Sequence, residues 1–266
     1  MTRYQAAFEA CRNRGDGVLG AFLMLGDPTA QDCPAYLDAL VEGGADMVEF
    51  GIPFSDPVAD GPVIQAAGDR ALKAGVRTAE CLAMLSAFRA RHGDVPVGVL
   101  TYANIVAARG IDRFAHELAQ AGVDSLLIAD VPTLEAQPYA AAARAAGIDL
   151  VMIAASTTPL AALERIASLS SGYTYCVARL GVTGADRRPQ LDHKLLFSQL
   201  ASLGAAPPIL GFGIASPEDV RAALAAGAAG AISGSAIIQL IADGEPPSTV
   251  RGFVETLKAA TRGRAA

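Results

Sequence analysis

Residues 44–51 read Gly-Ala-Asp-Met-Val-Glu-Phe-Gly, and this stretch carries the pattern that decides the fold. Glycine commonly ends a helix, and here it is followed by an apolar residue, an aspartate and a short apolar run. The order Gly, apolar, Asp returns at residues 122–124 and 147–149, each time ahead of another apolar run. The pattern predicts repeated units in which a helix ends at a glycine and a buried strand follows.

The apolar runs are short and nearly continuous, which is typical of parallel strands buried on both faces. Longer runs of helical period separate them. The predicted strands are Val18–Met24, Asp46–Phe50, Val97–Thr101, Asp124–Ile128, Leu150–Ile153, Tyr173–Val177, Pro208–Gly211 and Gly230–Ser233. Eight strand–helix units in about 250 residues favour a single-domain (β/α)8 TIM barrel over residues 1–266, with an extra N-terminal helix at about Tyr4–Arg12. An open, doubly wound sheet is the alternative.

Composition excludes several classes of function. Of 266 residues, 52% are hydrophobic and 18% are charged, which suits a packed core, and the net charge of −6 argues against nucleic-acid binding. Four scattered cysteines and three isolated histidines form no metal motif. The N-terminus has no apolar signal segment, and glycines interrupt the uncharged stretch Ala222–Ala242. We therefore expect a cytoplasmic chain that binds no metal, nucleic acid or membrane.

The loop after the second predicted strand holds two candidate acid–base groups. Glu49 lies at the end of an apolar strand, where loss of water raises the pKa of a carboxyl group towards the range of general acid–base catalysis. Asp60 closes the loop just before Pro62, a residue suited to begin a helix. A purely structural role for Asp60, accepting N–H groups near the helix start, stays open at this point, as does a turn-forming role for Asp56.

Glycine-rich turns follow the sixth, seventh and eighth predicted strands, at residues 181–184, 211–214 and 233–235. Glycines let a ligand approach the backbone closely, and the N-terminus of a helix beginning at Ser235 favours an anion. Barrels often bind phosphate after their last two strands, so the three turns together predict a phosphate site. The alternative is that these glycines only end strands.

Aromatic and apolar residues near other strand ends predict a pocket wall. These are Phe22, Leu100, Tyr102, Ala129 and Ile232. Tyr175 lies within the sixth predicted strand, where its hydroxyl reaches the barrel interior. An ordinary packed core is the alternative for all of them.

From Glu49 to Pro62 the sequence resembles the signature of the tryptophan synthase alpha subunit family. The similarity extends over nearly the whole chain, through shorter motifs at residues 26–28, 102–104, 129–132, 181–184, 211–214 and 232–236. The resemblance implies a (β/α)8 barrel with an additional N-terminal helix. It also implies a carbon–carbon lyase that cleaves indole-3-glycerol phosphate into indole and D-glyceraldehyde 3-phosphate by a retro-aldol reaction.

The resemblance assigns roles to the candidate residues. Glu49 corresponds to the acid–base group that helps protonate indole C3, Asp60 to the carboxylate that pairs with the indole N–H, and Tyr175 to a tyrosine near the glycerol moiety. The phosphate-binding positions are Gly184, Phe212, Gly213, Gly234 and Ser235, and Thr183 joins the indole pocket. No metal or organic cofactor is implied in this chain.

The family works as a complex, which implies docking on a pyridoxal-phosphate-dependent beta subunit in an α2β2 assembly and channelling of indole between the subunits. The implied docking residues are Pro53, Phe54, Asp56, Pro57, Asn104, Asp130 and Pro132. The loop around Arg179 to Gln190 corresponds to a mobile lid. Four departures from the family pattern bear on the lid or on docking: Ala178, Leu180, Ile105 and Ala129.

Three alternatives to this function remain. A stand-alone indole-3-glycerol-phosphate lyase that releases free indole would use the same catalytic residues. A non-catalytic activator of the beta subunit would not need Glu49 and Asp60. A generic phosphate-binding barrel, such as an isomerase, would need other catalytic residues than those of the strand-2 loop.

Overall fold

The computed structural model describes residues 1–177 and 193–263. Its strands form one nine-stranded, parallel sheet in the order β5-β4-β3-β2-β1-β9-β8-β7-β6. The strands are β1 (Val18–Met24), β2 (Met47–Gly51), β3 (Val97–Thr101), β4 (Ser125–Ile128), β5 (Asp149–Val151), β6 (Ile153–Ala154), β7 (Thr174–Val177), β8 (Pro208–Gly211) and β9 (Gly230–Ser233). Most of these bounds lie within one residue of the predicted strands.

The predicted fifth strand is interrupted at Met152. Its first part, β5, pairs with β4, and its second part, β6, pairs with β7. The Met152 N–H donates to the Ser170 hydroxyl at 3.2 Å, outside the strand ladder. Because β5 and β6 end the sheet order and are adjacent in the chain, the sheet curls into a nearly closed barrel. The barrel prediction is confirmed, and the open doubly wound sheet is wrong.

Helices connect the strands and pack outside the barrel. Those described are α1 (Arg3–Arg14), α2 (Cys33–Glu42), α3 (Pro62–Lys73), α4 (Thr78–Arg91), α5 (Ala103–Arg109), α6 (Ile111–Gln120), α7 (Gln137–Ala146), α8 (Leu160–Leu169), α9 (Lys194–Ser202), α10 (Pro217–Ala225), α11 (Ser235–Ala242) and α12 (Pro247–Ala259). The predicted extra helix is α1, which begins with a capping box at Thr2. The short helix α5 is not predicted from the sequence, because it follows β3 after a single residue.

The repeated Gly-apolar-Asp sequence connects a helix to the next strand at three places in the chain. Its glycines have positive φ angles: +92° at Gly44, +81° at Gly122 and +77° at Gly147. This left-handed conformation suits glycine and turns the chain back into the sheet. Two of the aspartates then accept a backbone N–H from a neighbouring strand, Asp46 from Leu19 and Asp124 from Val97, each at 2.8 Å.

The side chain of Tyr4, from helix α1, packs against strand residues inside the barrel. The ring of Tyr4 lies 5.3 Å from that of Tyr173, and the Tyr4 and Ser125 hydroxyls are hydrogen-bonded at 2.8 Å. These groups surround Gly98, where a Cβ atom would lie 2.9 Å from the Ser125 Oγ and 3.1 Å from the Tyr4 Oη. A glycine at this position of β3 therefore makes room for the hydroxyl groups.

The uncharged stretch Ala222–Ala242 divides as expected into the end of α10, the strand β9, a glycine turn and α11. All four residues of β9 are buried in the sheet. Within residues 1–177 and 193–263, no helix combines the length and the apolar character needed to cross a bilayer.

The hydroxyl of Thr101 offers a test of the packing outside the barrel. Thr101 is 0% exposed, and its Oγ1 has no hydrogen-bond partner in the described part of the chain. An unpaired buried hydroxyl costs free energy, so Thr101→Val should raise the free energy of unfolding by about 1 kcal/mol. Urea denaturation monitored by circular dichroism measures the change.

The matched control is Thr174→Val. Thr174 is equally buried, but its hydroxyl donates to the Ala206 carbonyl at 3.0 Å. This substitution should lower the free energy of unfolding by about 1 kcal/mol. Equal destabilisation by both substitutions would contradict the assignment of Thr101 as unpaired.

Candidate active site

A small cavity opens among the carboxyl ends of the barrel strands. Its volume is about 30 Å³, close to the share of liquid volume that one water molecule occupies. The cavity is lined by Phe22, Glu49, Asp60, Ile64, Leu100, Tyr175, Phe212, Gly213, Ile232, Gly234 and Ser235.

Glu49 is the most deeply buried carboxyl group of this cavity. Strand β2 continues to Gly51, so Glu49 lies inside the strand rather than at its end, and it is 1% exposed. Its Oε1 accepts a hydrogen bond from the Tyr173 hydroxyl at 2.6 Å, while Oε2 has no partner in the described residues. Burial, helped by the nearby charge of Asp60, raises its pKa from 4.5 to about 7, against the lowering effect of Tyr173. Such a group can donate or accept a proton near neutral pH.

Asp60 is a second buried carboxyl group with a different environment. It is 5% exposed and precedes Gly61, the N-cap of α3, so the predicted helix start at Pro62 is confirmed. Burial raises the pKa of Asp60 from 3.8 to about 6, and the Tyr102 hydroxyl acts in the opposite direction. The N-cap residue of α3 is Gly61 and not Asp60.

Two tyrosines of the sixth predicted strand face the barrel interior: Tyr173, just before β7, and Tyr175, within β7. Tyr175 lines the cavity, with its ring edge-on to that of Phe212 at 5.7 Å. A Cβ atom at Gly211 would lie 2.1 Å from the Tyr175 hydroxyl, so glycine is required beside it. The sequence reasoning missed Tyr173, which bonds Glu49. Because strand side chains alternate, the separation of two residues between the tyrosines was the signal that both face inward.

The turns after β8 and β9 supply most of the predicted phosphate site. Phe212 has a φ of +60°, uncommon for a residue other than glycine, and Gly213 follows at +108°. These angles bring both residues to the cavity, where Gly234 and Ser235 meet them from the start of α11. The backbone N–H groups of a helix start suit an anion. Gly184 lies outside the described residues.

The predicted pocket wall is brought together only in part. Phe22, Leu100 and Ile232 line the cavity, and Ile64 of α3 joins them although the sequence reasoning did not select it. Its signal was its place in the first turn of the helix that Asp60 precedes. The other predicted wall residues differ in placement: Tyr102 and Ala129 are not among the lining residues described, and Thr183 lies outside the described residues.

The residues predicted to dock a partner surround the cavity mouth on the side of β2, β3 and β4. Asp56, Asn104, Asp130 and Pro132 are exposed, Phe54 and Pro57 are half-buried, and Pro53 is buried. The Asp130 carboxylate accepts the Ala103 N–H at 2.8 Å, which gives it a local structural contact as well.

Three exposed apolar side chains were missed by the sequence reasoning: Val58 after β2, Leu134 after β4, and Leu160 at the start of α8. Val58 is 71% exposed, Leu134 is 69% exposed and Leu160 is 53% exposed. Apolar residues in loops give little sequence signal, because their exposure depends on the surrounding fold. The predicted lid around Arg179 to Gln190, with Ala178 and Leu180, lies outside the described residues.

The described residues contain no group of three or more His, Cys, Asp or Glu side chains arranged to hold a metal ion. Cys11, Cys33, Cys81 and Cys176 are buried and free. Burial raises the pKa of the Cys33 and Cys81 thiols to about 12, so they are poor nucleophiles at neutral pH.

A parallel barrel with two buried carboxyl groups beside glycine turns defines a class, the (β/α)8-barrel enzymes that act at the carboxyl ends of their strands. Within that class, residues 8–262 match the family described as Tryptophan synthase alpha chain, and the chain belongs to this family. The resemblance seen in the sequence is thereby confirmed. The family is one of enzymes in tryptophan synthesis.

Similar proteins agree over nearly the full length. The tryptophan synthase alpha chain of Edwardsiella ictaluri is 49% identical, covering 98% of this chain and 100% of the relative, and that of Klebsiella pneumoniae is 48% identical, covering 98% and 99%. A solved structure of Mycobacterium tuberculosis tryptophan synthase superposes with a TM-score of 0.90 at 31% identity, covering 98% of each chain. The alpha chain from Legionella pneumophila gives a TM-score of 0.86 at 29% identity, covering 98% of this chain and 97% of that one.

The raised pKa of Glu49 makes a prediction about stability. The folded state disfavours the charged carboxylate, so ionised Glu49 lowers the free energy of unfolding. This cost is absent below pH 4.5, grows as pH rises and is complete above about pH 7. Glu49→Gln removes it while keeping an acceptor for Tyr173. The variant should therefore be more stable than the parent at pH 8, by up to about 3 kcal/mol.

Urea denaturation at pH 5 and pH 8 measures this difference. The stability gain of Glu49→Gln should shrink towards pH 5. Glu9→Gln, at an exposed position of α1, controls for the loss of one negative charge. A gain of the same size at both pH values would contradict the assigned burial cost.

Proposed function

We propose that the chain cleaves indole-3-glycerol phosphate into indole and D-glyceraldehyde 3-phosphate. The observation that carries this proposal is the pair of buried carboxyl groups, Glu49 and Asp60, in one cavity with pKa values of about 7 and about 6. The reaction is inferred from family membership, and the two buried carboxyl groups are suited to the proton transfer and charge stabilisation that it requires.

The reaction breaks the bond between indole C3 and the first carbon of the glycerol chain. The hydroxyl on that carbon loses its proton as the aldehyde forms, and C3 gains a proton, so no proton is lost or gained overall. Carbon C3 leaves easily only when it is protonated, because the ring then accepts the bonding electrons. Glu49 is suited to transfer these protons since its pKa lies near neutrality.

Protonation at C3 spreads positive charge to the ring nitrogen. A carboxylate beside the ring N–H stabilises that charge, most strongly where water is excluded. Asp60 fits this role because its pKa of about 6 leaves it mainly ionised at pH 7, when Glu49 is about half protonated. Burial raises both pKa values, and the higher value of Glu49 favours Glu49 as the proton carrier and Asp60 as the carboxylate.

The remaining lining residues hold the substrate. Phe22, Leu100 and Ile232 offer apolar surface to the indole ring, and we expect the hydroxyl of Tyr175, which lines the same cavity, to contact the glycerol chain. Phe212, Gly213, Gly234 and Ser235 offer backbone N–H groups and a helix start to the phosphate. Binding the phosphate at one end fixes the reacting bond at the other. The reaction needs no metal or organic cofactor in this chain, because the ring itself accepts the electrons.

We also propose that the chain docks on a tryptophan synthase beta subunit, which carries pyridoxal phosphate and uses the indole. The docking face comprises Phe54, Asp56, Pro57, Asn104, Asp130 and Pro132, extended by the exposed Val58 and Leu134 of the same loops. An α2β2 assembly, indole channelling and a cytoplasmic location stay predictions from the family. A stand-alone lyase is not favoured, since relatives over the full length are alpha chains.

Release of indole from indole-3-glycerol phosphate, measured for the protein alone and with a beta subunit, tests the proposed reaction. Glu49→Gln should lower the rate by at least about 100-fold, because it cannot transfer the proton. Unchanged turnover in this variant would overturn the role of Glu49.

Asp60→Asn separates electrostatic stabilisation from binding. It should lower the rate on the order of 100-fold while leaving the inhibition constant of glycerol 3-phosphate nearly unchanged. A large loss of affinity for that phosphate ligand would show instead that Asp60 supports the structure of the site.

Docking is tested by placing a charge on the proposed face. Leu134→Asp should raise the concentration of beta subunit needed for half-maximal activation about tenfold or more, because a buried charge weakens an apolar contact. Leu195→Asp is the matched control: Leu195 is 65% exposed and lies on α9, outside the proposed face. Equal effects of the two substitutions would argue against this docking face.

A further inference from the structure

The side chain of Tyr102 contacts the loop that carries Asp60, and it is not among the described residues that line the cavity. Tyr102 directly follows β3 and is 1% exposed. Its hydroxyl accepts the backbone N–H of Ala59 at 3.2 Å. Since Ala59 immediately precedes Asp60, this bond fixes the backbone from which the carboxylate projects.

The ring of Tyr102 contacts the beginning of the same loop. It stacks on Phe54 with the ring centroids 5.2 Å apart and the planes inclined by 28°. Phe54 is half-buried and belongs to the proposed docking face. The side chain of Tyr102 therefore contacts the loop near its beginning, at Phe54, and near its end, at Ala59.

The hydroxyl of Tyr102 also remains a donor. Burial and the charge of Asp60 raise the pKa of Tyr102, so the hydroxyl is protonated at any working pH. The hydroxyl lies near the Asp60 carboxyl group and lowers its pKa. This interaction favours ionised Asp60 and offsets part of the effect of burial.

We propose that Tyr102 is the positioning residue for Asp60, and that it links the carboxylate to the docking face through its stack on Phe54. The proposal deepens the proposed function and rests on it for the catalytic use of Asp60. It predicts that a change at Phe54, on the outer part of the loop, reaches Asp60 without any change in the cavity lining.

Titration of Asp60 provides a test that does not depend on activity. The titratable groups that face Asp60 in the described structure are Glu49 from β2, Tyr102 and Tyr175 from β7. In a Glu49→Gln background, Asp60 is the carboxyl group of the cavity that still titrates. Carbon-13 NMR of the carboxyl signals, assigned by comparison with Asp60→Asn, then follows it directly.

Adding Tyr102→Phe to this background should raise the pKa of Asp60 by about 0.5 to 1 unit, because a donor to the charged form is lost. Tyr36→Phe is the matched control, since the Tyr36 hydroxyl donates to the Glu245 carbonyl at 2.9 Å, away from the cavity lining. An unchanged Asp60 pKa in Tyr102→Phe would overturn the proposal.

The link to the docking face needs its own variant. Phe54→Leu keeps an apolar side chain but removes the stack, and it should also raise the pKa of Asp60. Phe253→Leu, at a half-buried position of α12, is the matched control. A normal Asp60 titration in Phe54→Leu would overturn the link.

Kinetics distinguish positioning from general stabilisation. Tyr102→Phe should lower kcat about tenfold with little change in KM, and should move the acidic limb of the pH profile to higher pH, because cleavage needs ionised Asp60. Tyr36→Phe should leave both unchanged. If the parent protein releases no indole, the proposed function fails, while the NMR titration still decides the role of Tyr102. If the parent cleaves and Tyr102→Phe keeps the parental pH profile, only the present inference fails.

Discussion

The burial of one ionisable carboxyl group, that of Glu49, is the constraint on which the rest of the site depends. Strand β2 is otherwise apolar, so the strand ladder and the barrel packing hold Glu49 out of water. The group would be costly without a partner, and the Tyr173 hydroxyl supplies one. Tyr173 in turn packs against Tyr4 of α1, so the extra N-terminal helix helps to position the hydrogen-bond partner of Glu49. Gly98 completes this arrangement by leaving space for the hydroxyl groups.

The second carboxyl group is held by different means. Asp60 belongs to a loop, and its position depends on the contacts of that loop with Tyr102 rather than on a strand ladder. A strand position is rigid, whereas a loop position follows whatever binds the loop. The same cavity therefore combines a carboxyl group fixed on a strand with one carried by a loop, and in the proposed function the placement of the second responds to a partner at the proposed docking face.

How much could be predicted from the sequence depended on the range of the interactions. The strands, and glycines such as Gly44, follow from local patterns and were located almost to the residue. The interruption at Met152 could not be predicted, because it arises from how the fifth strand pairs on each side when the barrel closes. Glu49 stood out as a carboxyl group in an apolar strand, and Asp60 as one that closes the loop after it. The positions of Tyr173 and Tyr102 relative to them depend on packing between distant strands, which no local pattern contains.

Two carboxylates at the amino ends of the strands, Asp46 and Asp124, differ from Glu49 and Asp60 in having basic partners. At the carboxyl ends of the strands, burial disfavours the charged forms of both carboxyl groups. At the amino ends, Asp124 accepts the Val97 N–H and pairs with Arg89 at 2.7 Å, and Asp46 pairs with Lys258 at 2.6 Å. These two carboxylates join a helix to a strand, with their charge compensated. Glu49 and Asp60 have no basic partner among the described residues, and burial therefore keeps them in the poorly solvated state that the proposed acid–base chemistry requires.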